Sequence, residues 1–221
     1  IRALGVRCLP VQCDVTSTES IKNAVQEIVK EYGKVDILLN NAGNAHMAPF
    51  LEYPDDGWES TVAVDLTAVF KVAREFGKVM AKNNYGRIIN TASMYGLVGA
   101  TASTVGYQAA KGGVVNLTRQ IAVEMAQYNV TCNAICPGWV LTPLVAKQID
   151  ARAEASGRPV EEERRSLLLE KQPSGEFVTP EQLGELDETG LDVVHRVVEP
   201  DAAPAGLDAL VALAHPVAVE L

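Results

Sequence analysis

The chain has 221 residues, a formal net charge of −9, and 48% hydrophobic against 21% charged residues. That length supports a substantial core, and the acidic balance argues against non-specific binding to nucleic acid or to an anionic membrane surface. No apolar run approaches the length that spans a bilayer and no basic-then-apolar leader is present, so a cytoplasmic protein is expected.

In chain order, Gly5 to Cys13 reads as a short strand and Ser17 to Tyr32 as a helix. Thr16 and Glu19 have capping-box spacing at the start of that helix, and Gly33 ends it. Val35 to Asn40 (VDILLN) is a buried strand, followed by a long helical stretch over about 55–82. Gly86 to Ser93 is a strand, about 105–127 a helix, and Asn129 to Cys136 a strand closed by Pro137-Gly138. Alternating helices and near-continuous apolar strands predict a parallel sheet covered on both faces. The cysteines Cys8, Cys13, Cys132 and Cys136 lack a convincing metal-ligand spacing and read as reduced thiols, with no metal site.

Ligands of such sheets bind beyond the carboxyl ends of the strands. The residues there are Asp14-Val15, then Asn40 to Gly43 (NNAG), then Ser93, then Pro137-Gly138 with Thr142 beyond. Each alone is an ordinary cap, turn or loop residue. Together at one sheet edge they describe a pocket. Tyr107 and Lys111 (YQAAK) begin the helix after the strand ending at Ser93, one turn apart on one face. A nearby ammonium is expected to lower the phenol pKa towards neutrality, which would make Tyr107 a better acid–base group. A serine hydroxyl beside it can hold the oxygen of an alcohol or carbonyl. Side chains carry no hydride acceptor, so the chemistry asks for a nicotinamide.

The ordered set CDVT, NNAG, Ser93, Tyr-x-x-x-Lys and Pro-Gly resembles the short-chain dehydrogenases/reductases, from about Arg2 to Gly184. The resemblance implies a Rossmann-like, doubly wound parallel α/β sheet and an NAD- or NADP-dependent oxidoreductase. It implies Tyr107 as the acid–base residue, Lys111 on the nicotinamide ribose and Ser93 on the substrate oxygen. Asp14 and Val15 would border the adenine, and Asn40, Ala42 and Gly43 would line the cofactor cleft. Pro137, Gly138, Val140 and Thr142 would flank the nicotinamide. It also implies a homo-oligomer built through the helices at 55–82 and 105–127.

The chain departs from the family pattern at four places. The catalytic asparagine of the family falls on Asp65, which keeps an acceptor but loses the amide donor. Ser93 precedes Tyr107 by fourteen positions rather than the common thirteen, consistent with one extra loop residue. The first βαβ unit with its glycine-rich turn is not in this sequence, so the reading is an incomplete Rossmann-like domain over 1–183. Residues 184–221 form an atypical tail, and from 187 onwards it contains no Lys, Asn, Gln, Ser, Ile, Phe, Tyr or Trp.

The segment after Pro-Gly looks like D-3-hydroxybutyrate dehydrogenases, with Gln148 at the position of a carboxylate-binding Gln; the middle of the chain looks more like gluconate 5-dehydrogenase-like members. Tyr95, Trp139, Gln148 and Ser93 are the candidate substrate contacts, and 144–178 the lid. A small polyol, sugar acid or hydroxy acid is the expected substrate. The competing reading is a non-catalytic relative, a binding or scaffold protein without a complete cofactor site.

Overall fold

The computed structural model describes residues 5–99, 103–169, 175–183 and 210–213. It divides into two compact units, Ile1–Ile135 with Asp201–Leu221, and Cys136–Pro200.

The first unit carries a parallel sheet. Strands β1 (Ile37–Asn40), β2 (Gly86–Thr91), β3 (Val130–Ile135) and β4 (Leu210–Leu213) lie in the order β3-β2-β1-β4. Asn40 is level with Asn90 in the β1–β2 register, and Thr91 with Ile135 in the β2–β3 register. Adjacent residues Ile37 and Leu38, and Ile88 and Ile89, are all buried, so both faces of the sheet are covered. Beside it are α1 (Thr18–Tyr32), α2 (Asp55–Val62), α3 (Val69–Asn83) and α4 (Val105–Met125). Helix α1 buries Ile21, Ala24 and Ile28, and α3 buries Val69, Val72, Ala73, Phe76 and Met80. These are the three- and four-residue spacings of one helical face. Of these residues, Ile21, Ile28, Val72, Ala73, Phe76 and Met80 meet Leu38, Ile88, Val130 and Cys132 in a single core.

Three expectations are corrected. Gly5 to Cys13 forms no strand, although Leu9, Val11 and Cys13 pack on the core. A strand needs a neighbour for its N–H and C=O groups, and none of the described strands pairs with this segment. The cap of α1 is Ser17, whose hydroxyl accepts from Ser20 N–H at 3.2 Å; Thr16 instead donates to Asp14 in the preceding turn. The long helix is not uniform: between α2 and α3, Ala63–Ala68 winds as a π-helical turn.

A polar ladder crosses the sheet edge inside the core. Asn40 Nδ2 donates to Asn90 Oδ1 at 2.8 Å, and Asn90 Nδ2 donates to Thr118 Oγ1 at 2.9 Å. Satisfied in this way, buried amides fix the strand ends rather than weaken them.

The second unit holds α5 (Pro143–Ser156) and α6 (Val160–Leu169), joined at Gly157, which has φ 71°. Buried Glu163 receives Arg152 Nε at 3.3 Å and Arg158 Nε at 3.0 Å, which clamps the two helices together. Most of the tail beyond 183 lies outside the described residues. Among the described residues no helix is long and apolar enough to cross a membrane.

Candidate active site

Ser93, Tyr107, Lys111 and Asp65 converge at the carboxyl end of β1 and β2. Ser93 follows β2 in extended backbone, and its Oγ caps a short 3₁₀ turn (Met94–Gly96) by accepting from Tyr95 N–H at 3.1 Å. That turn rests directly on α4. A Cβ on Gly96 would lie 2.7 Å from the Lys111 carbonyl oxygen, so only glycine permits this approach without a shift. Tyr107 and Lys111 share the first turns of α4, with Lys111 Nζ 5.4 Å from the centre of the Tyr107 ring.

Lys111 is 4% exposed and donates to the carbonyl oxygen of Thr91 at 2.8 Å. Burial lowers its pKa, and the nearby Asp65 carboxylate opposes that shift. Tyr107 does not follow the sequence expectation. Its pKa is raised: burial is the main cause, hydrogen bonding with the Ser93 hydroxyl pulls it back, and Asp65 and Tyr95 push it up. Spacing on a helix places an ammonium near a phenol, but it does not reveal how dry the phenol is.

Asp65 is fully buried in the π-helical turn. Its Oδ1 accepts from Asn44 N–H at 2.9 Å, while its Oδ2 is buried with no hydrogen-bond partner among the described residues. Desolvation pushes its pKa up to about 6, against the opposing pull of Lys111 and the Asn44 N–H. Gly43 marks where these groups meet. A Cβ there would lie 2.9 Å from Asp65 Oδ1 and 3.7 Å from Lys111 Nζ.

Val15, Asn40 and Ala42 share the walls of one small cleft with Val64, Ala68, Val69 and Val72. Asp14 uses Oδ1 to accept from Thr16 N–H at 2.9 Å, building the turn into α1. Half-buried Tyr95 lies close enough to Tyr107 to influence its titration. Exposed His46 packs edge-on to Tyr53, with ring centres 5.4 Å apart.

The remaining candidates belong to the second unit. Thr142 caps α5, its hydroxyl accepting from Val145 N–H at 3.3 Å. Val140 bridges to Val178, and the Trp139 carbonyl accepts from Val178 N–H at 3.0 Å. Gln148 is half-buried on α5, and Pro137 and Gly138 lie in the segment before it.

Sequence reasoning missed Thr91, Gly96 and Asn44. Thr91 and Asn44 act through backbone groups, which leave no side-chain signal. Gly96, three residues after Ser93, was the one legible mark of a close approach. All four cysteines are free, and burial pushes Cys132 up to about 12.

The family described as short chain dehydrogenase matches residues 1–153. The chain is 47% identical over 182 residues to D-beta-hydroxybutyrate dehydrogenase of Cupriavidus necator, covering 82% of this chain and 70% of that protein. Its structure resembles an NAD+-bound xylitol dehydrogenase, with TM-score 0.73 and 30% identity over 88% of this chain and 74% of that one. It also resembles an actinorhodin polyketide ketoreductase with NADPH, with TM-score 0.80 and 33% identity over 90% of this chain and 76% of that one. The chain belongs to the short-chain dehydrogenase family and is an oxidoreductase.

Proposed function

We propose that the protein interconverts a secondary alcohol and a ketone on a small polyol, sugar acid or hydroxy acid, with Tyr107 as the proton-transferring group. The observation that carries this reading is the dry cluster itself: a phenol that hydrogen-bonds Ser93, and a buried ammonium fixed to a strand-end carbonyl, at the ligand-binding edge of a parallel sheet.

A nicotinamide cofactor fits the residues present. Gly43 lacks the Cβ that would meet Asp65 Oδ1 at 2.9 Å, which lets Asp65 and Lys111 pack close to the backbone, and Val15, Asn40 and Ala42 line the wall beside it. Lys111 and Tyr107 would hold the nicotinamide ribose, Asp14 and Val15 the adenine end, and Asn40, Ala42 and Gly43 the wall between. Pro137, Gly138, Val140 and Thr142 are the candidates for the nicotinamide face. When bound, the nicotinamide supplies or accepts the hydride.

The chain's own groups handle the proton and the oxygen. The Ser93 hydroxyl donates to the substrate oxygen and orients it towards Tyr107. In ketone reduction the Tyr107 phenol gives its proton to the oxygen as negative charge develops there. In alcohol oxidation the phenolate removes the hydroxyl proton. Burial favours the neutral phenol, the proton-donating form that ketone reduction uses. Tyr95 and the buried Thr104 hydroxyl suit a substrate rich in hydroxyls, while Gln148 is the candidate contact for a carboxylate. Similarity to the hydroxybutyrate enzyme supports the hydroxy-acid arm, and similarity to the xylitol enzyme the polyol arm.

The groove between α3 and α4, lined by Phe70, Gly77, Ile121, Met125 and Tyr128, supports pairing with a second copy. Light scattering would report the oligomer.

The test is a screen of 3-hydroxy acids, sugar acids and polyols, and their ketones, with NAD(H) and NADP(H), beside Tyr107→Phe. Turnover that falls about 100-fold or more in the variant supports the reading. Nicotinamide binding with no turnover of any such substrate would sink it.

A further inference from the structure

Asp65 stands where the family pattern has an amide, and its surroundings show what that exchange does. The carboxylate is fully buried, yet only one of its oxygens is satisfied, by a backbone N–H from Asn44. The π-helical turn that carries it aims Oδ1 at Gly43, the point Lys111 Nζ also approaches from α4. The ammonium nevertheless makes its hydrogen bond to Thr91 rather than to the carboxylate. Charge therefore acts here across a short gap in a dry medium, where screening by water is weak.

The titratable neighbours are few. Helix α4 contributes Lys111 and Tyr107, and the 3₁₀ turn after Ser93 contributes Tyr95 beside Tyr107. The loop after β1 presents the Asn44 N–H, and its His46 packs against Gly57, about two turns upstream of Asp65. Within this set Asp65 is the only acid. It acts on both α4 groups in the same sense, raising the proton affinity of each.

We propose that Asp65 is a positioning residue that couples the charge states of Lys111 and Tyr107. Ionised, it favours the ammonium form of Lys111 and the phenol form of Tyr107; exchanged for a neutral amide, it leaves both protons more readily lost. This rests on the reading of Tyr107 as the proton-transferring group. It makes the buried acid, rather than the lysine, the main electrostatic control on that proton. An amide in the same place would make the same fold with a more acidic phenol.

The test needs no substrate. Phenolate absorbance is titrated in the wild type, in Asp65→Asn, and in each background with Tyr107→Phe, so that the difference isolates Tyr107. The expected result is a Tyr107 midpoint lower by about one pH unit in Asp65→Asn. An unchanged or higher midpoint overturns the proposal. Carboxyl-carbon NMR of the wild-type protein and of Lys111→Met reads Asp65 directly. A midpoint near 6 that rises further in Lys111→Met supports the coupling, and one that Lys111→Met leaves unchanged overturns it. Both titrations remain readable if every alcohol and ketone tried proves inert, so failure of the functional reading is distinguishable from failure of this one.

Discussion

Lys111 Nζ donates to the carbonyl oxygen of Thr91 at 2.8 Å, which ties the helix bearing Tyr107 to the strand end that leads into Ser93. One hydrogen bond thus sets the spacing between two groups from different elements. It also gives a buried cation a partner without using the Asp65 carboxylate.

Lys111→Met separates the chemical role of this residue from its structural one. Methionine fills the volume but removes both the charge and the donor. We expect kcat/KM to fall about 100-fold or more, a size typical of losing one preorganised electrostatic group. Removing the ammonium also leaves the Thr91 carbonyl without its donor and the buried Asp65 without its opposing charge, so the urea midpoint should fall as well. A large drop in that midpoint with little loss of activity would make the lysine merely structural.

The direction of the Tyr107 shift predicts opposite pH behaviour for the two directions of reaction. Its pKa lies above the ordinary 10.0. Oxidation needs the phenolate, so its rate should climb throughout the accessible alkaline range without a plateau near neutrality. Reduction needs the phenol and should lose none of it until the pH approaches that raised value. Initial rates in both directions over a common buffer series decide the point; an oxidation plateau near neutral pH would contradict it.

Gly96→Ala should damage the site from behind. The new Cβ would meet the Lys111 carbonyl carbon and oxygen at 2.7 Å and Gly112 N at 2.9 Å, all of them backbone. The 3₁₀ turn has to move off α4, carrying Ser93 away from Tyr107. A stability loss of about 1–3 kcal/mol is expected, together with a fall in kcat. Gly112→Ala is the milder control, since its Cβ would sit 3.3 Å from the Gly96 oxygen. Urea unfolding and steady-state kinetics on the pair test the order.

Asp65 also links stability to pH, in the sense opposite to a salt-bridged carboxylate. Its folded pKa, about 6, lies above the ordinary 3.8, so the folded state binds this proton more tightly than the unfolded state. Stability from this group is therefore greatest at low pH and is lost as pH rises from about 4 to about 6, by at most about 3 kcal/mol. Asp65→Asn should flatten that part of the profile. Denaturant unfolding of both proteins across the window would show it, and parallel curves would refute it.

What the sequence made legible follows from what each signal measures. Apolar runs located β1, β2 and β3, because a strand covered on both faces leaves a continuous trace. The strand expected at Gly5 to Cys13 carried the same trace, yet pairing depends on a neighbour that local composition does not encode. Ser17 rather than Thr16 caps α1, since two hydroxyls in a row leave the choice to the turn that Asp14 builds. Order and spacing single out Ser93, Tyr107 and Lys111 as candidates, and the structure brings them together. Thr91 and Asn44 are not singled out, because a backbone group looks the same in every residue type. The pKa of Tyr107 was misjudged because it depends on burial, which spacing does not report.

The π-helical turn at Ala63–Ala68 has a meaning beyond the site it serves. Such a turn holds one more residue than the α-helix it interrupts, which rotates everything beyond it by about 100°. It is what a one-residue insertion leaves behind when a helix absorbs it without breaking. Substitutions leave the residue count unchanged, so the orientation of Asp65 is a property of length as much as of residue identity. Deleting one position between 63 and 68 would restore a plain helix, turn the acid away from Gly43, and undo in one step what no exchange of side chains along α2 and α3 could.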